Sequence, residues 1–228
     1  MKRSKRYLNT MKAAPKKAVT IAEAIKFIKD HPGSKKFDET VDVSMRLGAD
    51  ITKTDTPVRG TVKLPAGSGK DVKVVVFAGG DHAEEAKAAG ADFVGMDDLI
   101  EKIMGGWTDF DVAIATTEAM KSVRKCARIL GPRGLMPNPK TGTVTDDPAT
   151  AVKEAKAGKV DFRMDKTGNC CVIAGKLSFD ADKLLANVNA VVEAVQAAKP
   201  AAVKGVFIRS LTLSSTMGIG VACTLGAE

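Results

Sequence analysis

Hydrophobic residues recur along the chain at two spacings, and the change of spacing predicts its elements. Residues 20–29 place hydrophobic side chains at helical spacing behind Thr20, which with Glu23 fits a capping box, so a helix is predicted there. Residues 40–47 alternate between hydrophobic and polar, which predicts a strand with one face in water. Residues 58–64 alternate in the same way and are predicted to pair with that strand.

The middle of the chain follows another pattern. Residues 72–77 and 111–115 are nearly continuous hydrophobic runs, as expected for strands covered on both faces, and each is followed by a helical pattern. Strands that alternate with helices predict βαβ units and a parallel sheet. After a stretch rich in proline and glycine over 131–142, the alternation returns from Val160, and a last strand is predicted over 206–213. A lobe inserted into a split domain explains this order of patterns.

Charge is distributed over the same three parts. The chain has a formal net charge of +8 and a pI of about 9.3. Residues 1–66 carry 15 basic and 7 acidic side chains, residues 67–158 carry 12 and 14, and residues 159–228 carry 8 and 6. The two ends hold the whole surplus, which favours a polyanionic partner because each Lys or Arg that neutralises a phosphate releases a counterion. Charge alone does not separate RNA from DNA or from an anionic membrane surface.

The first 17 residues contain seven positive charges and no negative ones. Such a run fits either a solvated tail or an arm that seeks a polyanion, and its single sign favours the arm. No hydrophobic stretch follows it, so a secretory signal is not predicted.

Residue types that would support catalysis or metal binding are sparse. Four cysteines lack CxxC spacing and only two histidines are present, so reduced thiols of a cytoplasmic protein and no metal site are expected. The segment 67–70 lacks the spacing of a phosphate-binding loop, and Gly79-Gly80 lacks the GxGxxG pattern, so neither favours a nucleotide. No nucleophile elbow is present. The sequence predicts a protein that is not an enzyme, has no cofactor and, without a run of about 20 hydrophobic residues, does not span a membrane.

Composition alone does not decide the role of two stretches. Residues 131–140 combine three prolines and two glycines with Arg133 and Lys140, which fits a rigid crossover or a preorganised basic loop on phosphate about equally. Residues 214–218 combine hydroxyls, a methionine and a glycine after a strand. Composition favours an ordinary strand end there, although the same groups suit contacts to phosphate, a 2′-OH or a base.

Long motifs in a fixed order give the chain a resemblance to a known family. The segment GPRGLMPNPKTGTV over 131–144 resembles the signature of the large-subunit ribosomal protein L-one family of bacterial type, whose members build the mobile stalk beside the tRNA exit site. KFDETV over 36–41, VRGTV over 58–62, FRMDKTG over 162–168 and TMG over 216–218 also resemble segments of that family. The resemblance covers nearly the whole chain.

The resemblance implies an α/β fold in two domains. A split α+β outer domain with a mostly antiparallel sheet would comprise residues 1–66 and 159–228, and an inserted Rossmann-like parallel α/β domain without a nucleotide would comprise residues 67–158. The implied partners are large-subunit rRNA, the protein's own mRNA leader, whose translation it would repress, and the exit-site tRNA, whose release it would assist. A location on the ribosome in the cytoplasm and a monomer off the ribosome are expected with it.

Carried over position by position, the resemblance assigns RNA-binding residues to both ends of the chain. Basic side chains are expected on phosphates, the aromatic ring on a sugar or base, and the small residues against the RNA backbone. Arg133 and Lys140 in the middle of the chain are expected as secondary contacts to RNA or tRNA. The RNA-binding residues implied are Lys36, Phe37, Glu39, Thr40, Arg46, Arg59, Lys166, Ser215, Thr216, Met217 and Gly218.

Two positions depart from the family pattern. Cys170-Cys171 stands where Ile-His is more usual, and Ile219 follows TMG where proline is usual. Isoleucine does not fix φ as proline does, which bears on the rigidity of that loop. Two other hypotheses are a nucleotide-dependent enzyme, which ATP would stabilise against heating, and a DNA-architectural protein, which matched RNA and DNA hairpins would distinguish.

Overall fold

A computed structural model gives the structure of the protein and describes residues 4–34, 36–49, 58–201, 203 and 205–224. Lys2 and Arg3 of the basic amino-terminal run lie outside the described residues. The chain divides into two compact units, the first made of Met1–Gly69 with Val160–Glu228 and the second of Lys70–Lys159.

The breaks between the units fall slightly later in the chain than the predicted ones at 66/67 and 158/159. Residues 67–69 belong to the first unit because the buried Asn187 side chain holds that turn. Its amide oxygen accepts from the N–H of Ala66 at 3.0 Å, and its amide nitrogen donates to the carbonyl of Gly67 at 3.0 Å.

The first unit is built on a four-stranded antiparallel sheet of order β7-β1-β8-β9, beside a two-stranded sheet of β2 and β6. Helices α2 and α8 cover one face of the larger sheet and enclose the hydrophobic core, while α1 buries no residue. The elements are α1 (Lys5–Ala13), α2 (Ile21–Asp30), β1 (Thr40–Leu47), β2 (Arg59–Lys63), β6 (Lys159–Arg163), β7 (Asn169–Lys176), α8 (Ala181–Ala197), β8 (Ile208–Ser215) and β9 (Val221–Cys223).

The second unit is built on a parallel sheet of order β4-β3-β5. Alternate residues of β3 enter two separate cores, Val75 and Phe77 in one and Val74 and Val76 in the other, so both faces of the sheet are covered. The elements are β3 (Val74–Phe77), α3 (Asp81–Ala88), β4 (Phe93–Gly95), α4 (Asp97–Met104), β5 (Val112–Ala115), α5 (Met120–Val123), α6 (Ala127–Arg133) and α7 (Pro148–Lys156), with 3₁₀ turns at Arg124–Cys126 and Pro139–Thr141.

The predicted fold class, a mostly antiparallel α+β part with a parallel α/β part, is confirmed. The capping box at Thr20 and Glu23 is present, with each side chain bonded to the other's backbone N–H. The alternation in β1 is confirmed too, since its hydrophobic residues are buried and its polar ones at least partly exposed.

The predicted pairing of residues 58–64 with β1 is wrong. Both edges of β1 are taken by β7 and β8, so β2 pairs with β6 instead. Pattern analysis also missed α1 and β9, and the last predicted strand runs on to Ser215. Residues 131–133, expected to be irregular, form the last turn of α6, which ends where Gly134 adopts a left-handed conformation with φ of 74°.

Candidate nucleic-acid interface

The face of the four-stranded sheet opposite its core carries the alternate side chains of its strands. Ser44 on β1 stands opposite Cys171 on β7 and Thr212 on β8, and Arg46 stands opposite Asn169 and Ser210. Residues directly opposite each other in such a pair project to the same side of the sheet. We call this surface the polar sheet face. Its members are Thr40, Asp42, Ser44, Arg46, Asn169, Cys171, Lys176, Ser210, Thr212 and Ser214, and the exposed Ile173, opposite Asp42, lies among them.

A short loop follows β8 at one end of the polar sheet face. The N–H of Thr216 donates to the carbonyl of Thr40 at 3.1 Å, and the Thr216 hydroxyl accepts from the Thr40 N–H at 3.0 Å. The N–H of Gly218 donates to the carbonyl of Ser215 at 3.1 Å. These bonds fasten the 216–218 loop to the start of β1, and the next residue, Ile219, is itself buried, so the loop is held without a proline.

The carboxylate of Glu39 lies beneath the 216–218 loop and is fully buried. Its Oε2 accepts from the N–H of Met217 at 3.4 Å, whereas Oε1 and the hydroxyl of Ser215 have no hydrogen-bond partner among the described residues. Neither side chain reaches solvent, so Glu39 and Ser215 support the loop from below.

Two glycines, Gly33 and Gly218, allow the 216–218 loop to pack closely against the residues around it. A Cβ on Gly33 would stand 2.5 Å from the carbonyl carbon of Met217 and 2.7 Å from Oε1 of Glu39. A Cβ on Gly218 would stand 2.3 Å from Oγ of Ser215. At Gly33 the close atoms belong to the Met217 backbone, so packing excludes a larger residue there. At Gly218 the close atom is a side-chain hydroxyl, which would have to turn away to admit a Cβ.

The side chains exposed around the loop come from both ends of the chain. Phe37 is 51% exposed and Met217 is 52% exposed, although large hydrophobic side chains are usually buried. Lys36 is exposed as well. Hydrogen bonds join Glu39 and Thr40 to the 216–218 loop, and Lys36 and Phe37 stand just before Glu39 in the chain. Their assignment to an RNA site stays a prediction.

The remaining basic candidates of the first unit lie at the other end of β1. Arg46 is opposite Asn169, and Lys166 belongs to the turn that leads into Asn169. Arg59 begins β2 next to Val58, whose carbonyl accepts from the N–H of Met164 just before that turn. At about 3.3 Å per residue, this group lies roughly 20 Å along the sheet from the 216–218 loop.

The turn that carries Lys166 is ordered by Asp165. The carboxylate of Asp165 accepts from the N–H of Asn169 at 2.8 Å and from the hydroxyl of Thr167 at 2.8 Å. These hydrogen bonds hold the pKa of Asp165 below its usual value, because they stabilise the charged form. The cation of Lys166 is thus presented from a defined turn.

Arg133 and Lys140 belong to the second unit and are not part of the polar sheet face. Arg133 ends α6 and donates to the hydroxyl of Thr108. Lys140 is exposed in the 3₁₀ turn, where its N–H donates to the side chain of Asn138. Their assignment as secondary contacts stays a prediction.

Net charge divides between the two units. The first unit contains 22 basic and 13 acidic residues and the second contains 13 and 14, which gives net charges of +9 and −1.

The acidic member of the polar sheet face is Asp42. Burial raises the pKa of its carboxyl, and the nearby Lys176 ammonium lowers that pKa by a smaller amount. A raised pKa allows this carboxyl to take up a proton more easily when phosphates approach.

Sequence patterns missed several residues of this region. Lys176 lies opposite Thr40 on β7, with its ammonium 3.1 Å from the Thr40 hydroxyl. No local pattern marks Gly33, whose role depends on how closely the Met217 backbone approaches it. The alternation in β1 shows which of its side chains point outward. It does not show which residues of other strands, such as Thr212, lie beside them, because that depends on how the strands pair.

Other kinds of site find no support in the described parts of the chain. No group of three or more His, Cys, Asp or Glu side chains there could hold a metal ion. None of the helices that the structure describes has the length and hydropathy needed to cross a membrane. The four cysteines are free, and Cys171 is the exposed one.

A basic unit with a polar sheet face, joined to a second unit with a parallel sheet, defines a class of two-unit α/β protein. A family model described as the ribosomal protein L1p/L10e family matches residues 25–219. The chain belongs to this family. The prediction that the protein is not an enzyme is thereby confirmed, since this is a family of structural ribosomal proteins.

Three curated relatives agree with the family match. The large ribosomal subunit protein uL1 of Kosmotoga olearia is 54% identical over 221 residues, which cover 96% of this chain and 95% of the relative. The uL1 protein of Corynebacterium glutamicum is 56% identical over 199 residues, covering 87% and 84%. That of Mycobacteroides abscessus is 54% identical over 221 residues, covering 96% and 94%.

Proposed function

We propose that this chain is a structural protein of the large ribosomal subunit in the cytoplasm and that its first unit binds large-subunit rRNA. The observation that carries the proposal is the bonding of Thr216 to Thr40, which joins both motif-bearing segments into one surface. That surface is exposed, polar and part of the basic unit, as expected for a protein that neutralises phosphates.

The arrangement assigns a physical role to each part. Arg46, Arg59 and Lys166 at one end of the sheet, and Lys36 at the other, pair with phosphates. The ring of Phe37 and the thioether of Met217 pack on a sugar or base. Glu39 and Ser215 contribute indirectly because they hold the 216–218 loop in place.

The resemblance extends the proposal to three finer functions. The rRNA site is the mobile stalk beside the tRNA exit site, where the protein assists the release of deacylated tRNA. The same surface binds the leader of the protein's own mRNA and represses its translation. The protein is a monomer off the ribosome. A competition assay between the rRNA fragment and the leader RNA tests whether one surface serves both.

Filter binding of the stalk rRNA fragment at several salt concentrations tests the proposed function. The affinity is expected to fall as salt rises, because bound phosphates release counterions, and a DNA hairpin of matched sequence is expected to compete poorly. Equal competition by the DNA hairpin would instead favour the DNA-architectural hypothesis, and no salt-sensitive binding of either would refute the proposal.

Removing the exposed thioether of the loop is expected to weaken rRNA binding. Met217→Ala should cost about 1–3 kcal/mol, the size of one good specific contact, with little change in melting temperature. Met104→Ala on α4 is the matched control, because Met104 is 59% exposed and lies in the other unit. Filter binding measures both variants. Equal affinities for the two would remove Met217 from the interface.

The exposed thiol of the polar sheet face is expected to report on bound RNA. Cys171 should react first with a thiol reagent at about pH 8, because burial raises the pKa of Cys170 to about 11 and also raises those of Cys126 and Cys223. Saturating rRNA fragment should slow the reaction of Cys171, measured by mass spectrometry. An unchanged rate of reaction at Cys171 would mean that the bound RNA does not cover the polar sheet face.

A further inference from the structure

Helix α1 lies beside the 216–218 loop in the first unit. A guanidinium nitrogen of Arg6 donates to the carbonyl of Met217 at 3.4 Å. Ser4, Arg6 and Tyr7 line one side of an open concavity of about 360 Å³, and Thr216–Gly218 lines the other. The concavity therefore continues the proposed RNA-binding surface onto the amino-terminal helix.

The charge of this segment has one sign. Residues 4–19 contain five basic side chains and no acidic one. Lys5, Arg6 and Lys12 are exposed on α1, and Lys16 and Lys17 are exposed just after it. A segment whose charges all have one sign creates a positive potential that attracts a polyanion.

The hydrophobic core does not explain why α1 is placed here. None of its residues is buried, and its nine residues are fewer than the roughly 12–15 that an isolated helix needs in water. The hydrogen bond from Arg6 attaches it to the loop, and such a polar contact suits a segment that also meets a charged partner. The amino-terminal end of α1, the positive end of its dipole, adjoins the concavity.

We propose that α1 forms the second wall of the RNA site, so that the concavity between α1 and the 216–218 loop holds a phosphate–ribose stretch of the bound RNA. Lys5 and Arg6 pair with its phosphates, and the carbonyl of Met217 keeps Arg6 oriented towards them. A concavity of this volume falls within the range of small-ligand sites, so one backbone unit fits. This inference rests on the proposed function and adds an RNA contact outside the family motifs.

The test compares two double variants of the full chain that lose equal charge. Lys5→Gln with Arg6→Gln removes the cation that lines the concavity and its neighbour in α1, and Lys16→Gln with Lys17→Gln removes two cations of the same segment beyond α1. Filter binding of the stalk rRNA fragment is measured from about 50 to 200 mM salt. The first pair should weaken binding by about tenfold or more at low salt and make the log–log salt slope shallower by about 1 to 2, whereas the second pair should change both less.

Each other outcome counts against the inference in a distinct way. Equal effects of the two pairs would mean that α1 attracts RNA only through nonspecific positive charge and makes no phosphate contact at the concavity. A weaker affinity with an unchanged salt slope would mean that Arg6 only shapes the loop, which overturns the phosphate contact. If the unaltered chain itself does not bind the fragment, the proposed function fails, whatever the variants do. Far-ultraviolet circular dichroism checks that each variant is folded, and no buried contact is lost in either pair.

Discussion

Replacing Gly33 with alanine is expected to reduce the affinity for the stalk rRNA fragment by about 100-fold or more. The new Cβ would stand 2.5 Å from the carbonyl carbon of Met217, so the 216–218 loop must move away from β1. The movement would break the bond from the Met217 N–H to the Glu39 carboxylate. It would also displace the exposed side chains of Thr216 and Met217. Losing two specific contacts of about 1–3 kcal/mol each accounts for that fold-change.

Gly95→Ala is the matched control for this prediction. Gly95 ends β4 in the second unit, and the atoms nearest to an added Cβ are two Leu99 side-chain carbons at 3.4 and 3.5 Å, which is ordinary van der Waals contact. Its rRNA affinity should therefore equal that of the unaltered chain. Filter binding measures affinity, and heating monitored by circular dichroism shows whether Gly33→Ala remains folded. A folded Gly33→Ala variant with normal affinity would show that RNA binding does not depend on the position of the 216–218 loop.

Replacing Asn187 with leucine is expected to destabilise the first unit by about 3 kcal/mol, because leucine fills a similar volume but makes no hydrogen bonds. The Asn187 amide nitrogen donates to the carbonyl of Ala174 at 2.7 Å. Ala174 has no partner in the β1–β7 register, where an irregularity falls between Val41 and Asp42. The substitution leaves that carbonyl buried without a donor and also frees the turn at Ala66 and Gly67.

Asn189→Leu offers the same chemical change two residues along α8 at an exposed position. It should alter stability by less than about 0.5 kcal/mol. The chain has one tryptophan, Trp107, which lies in the second unit, so its fluorescence follows that unit while circular dichroism follows both. Asn187→Leu should lower the circular dichroism transition and leave the Trp107 transition in place. A common shift of both signals, or no shift, would contradict the assignment of Asn187 to the first unit's stability.

The sequence predicted most of the local structure for a simple physical reason. Spacing of hydrophobic residues reports which side of an element is buried, and caps report where a helix begins, so β1 and α2 could be placed within a residue or two. The nearly continuous hydrophobic run over 72–77 likewise indicated a strand covered on both faces, and the structure has β3 at Val74–Phe77. Element α1 was missed because the positive charge of its segment also fits a solvated tail, and none of its residues enters the core.

The candidate site was predictable only in part. Long motifs named Thr40 and Thr216–Gly218, and hydrogen bonds in the structure join them. Periodicity could not have joined them, since an alternating pattern specifies a face and not a partner. The same limit explains why β2 was paired with the wrong strand.

The sequence by itself determined the fold class, the family and the concentration of positive charge in the two ends of the chain, because these depend on local periods, motifs and counts. Only the tertiary structure decided what lies on the polar sheet face, since β1 lies between β7 and β8 and so brings Lys176 and Thr212 beside it. It also decided that Glu39 acts from beneath the 216–218 loop and that Gly33 must lack a side chain. Those properties depend on which distant segments pack within a few ångströms of each other, and no local pattern in the chain encodes that distance.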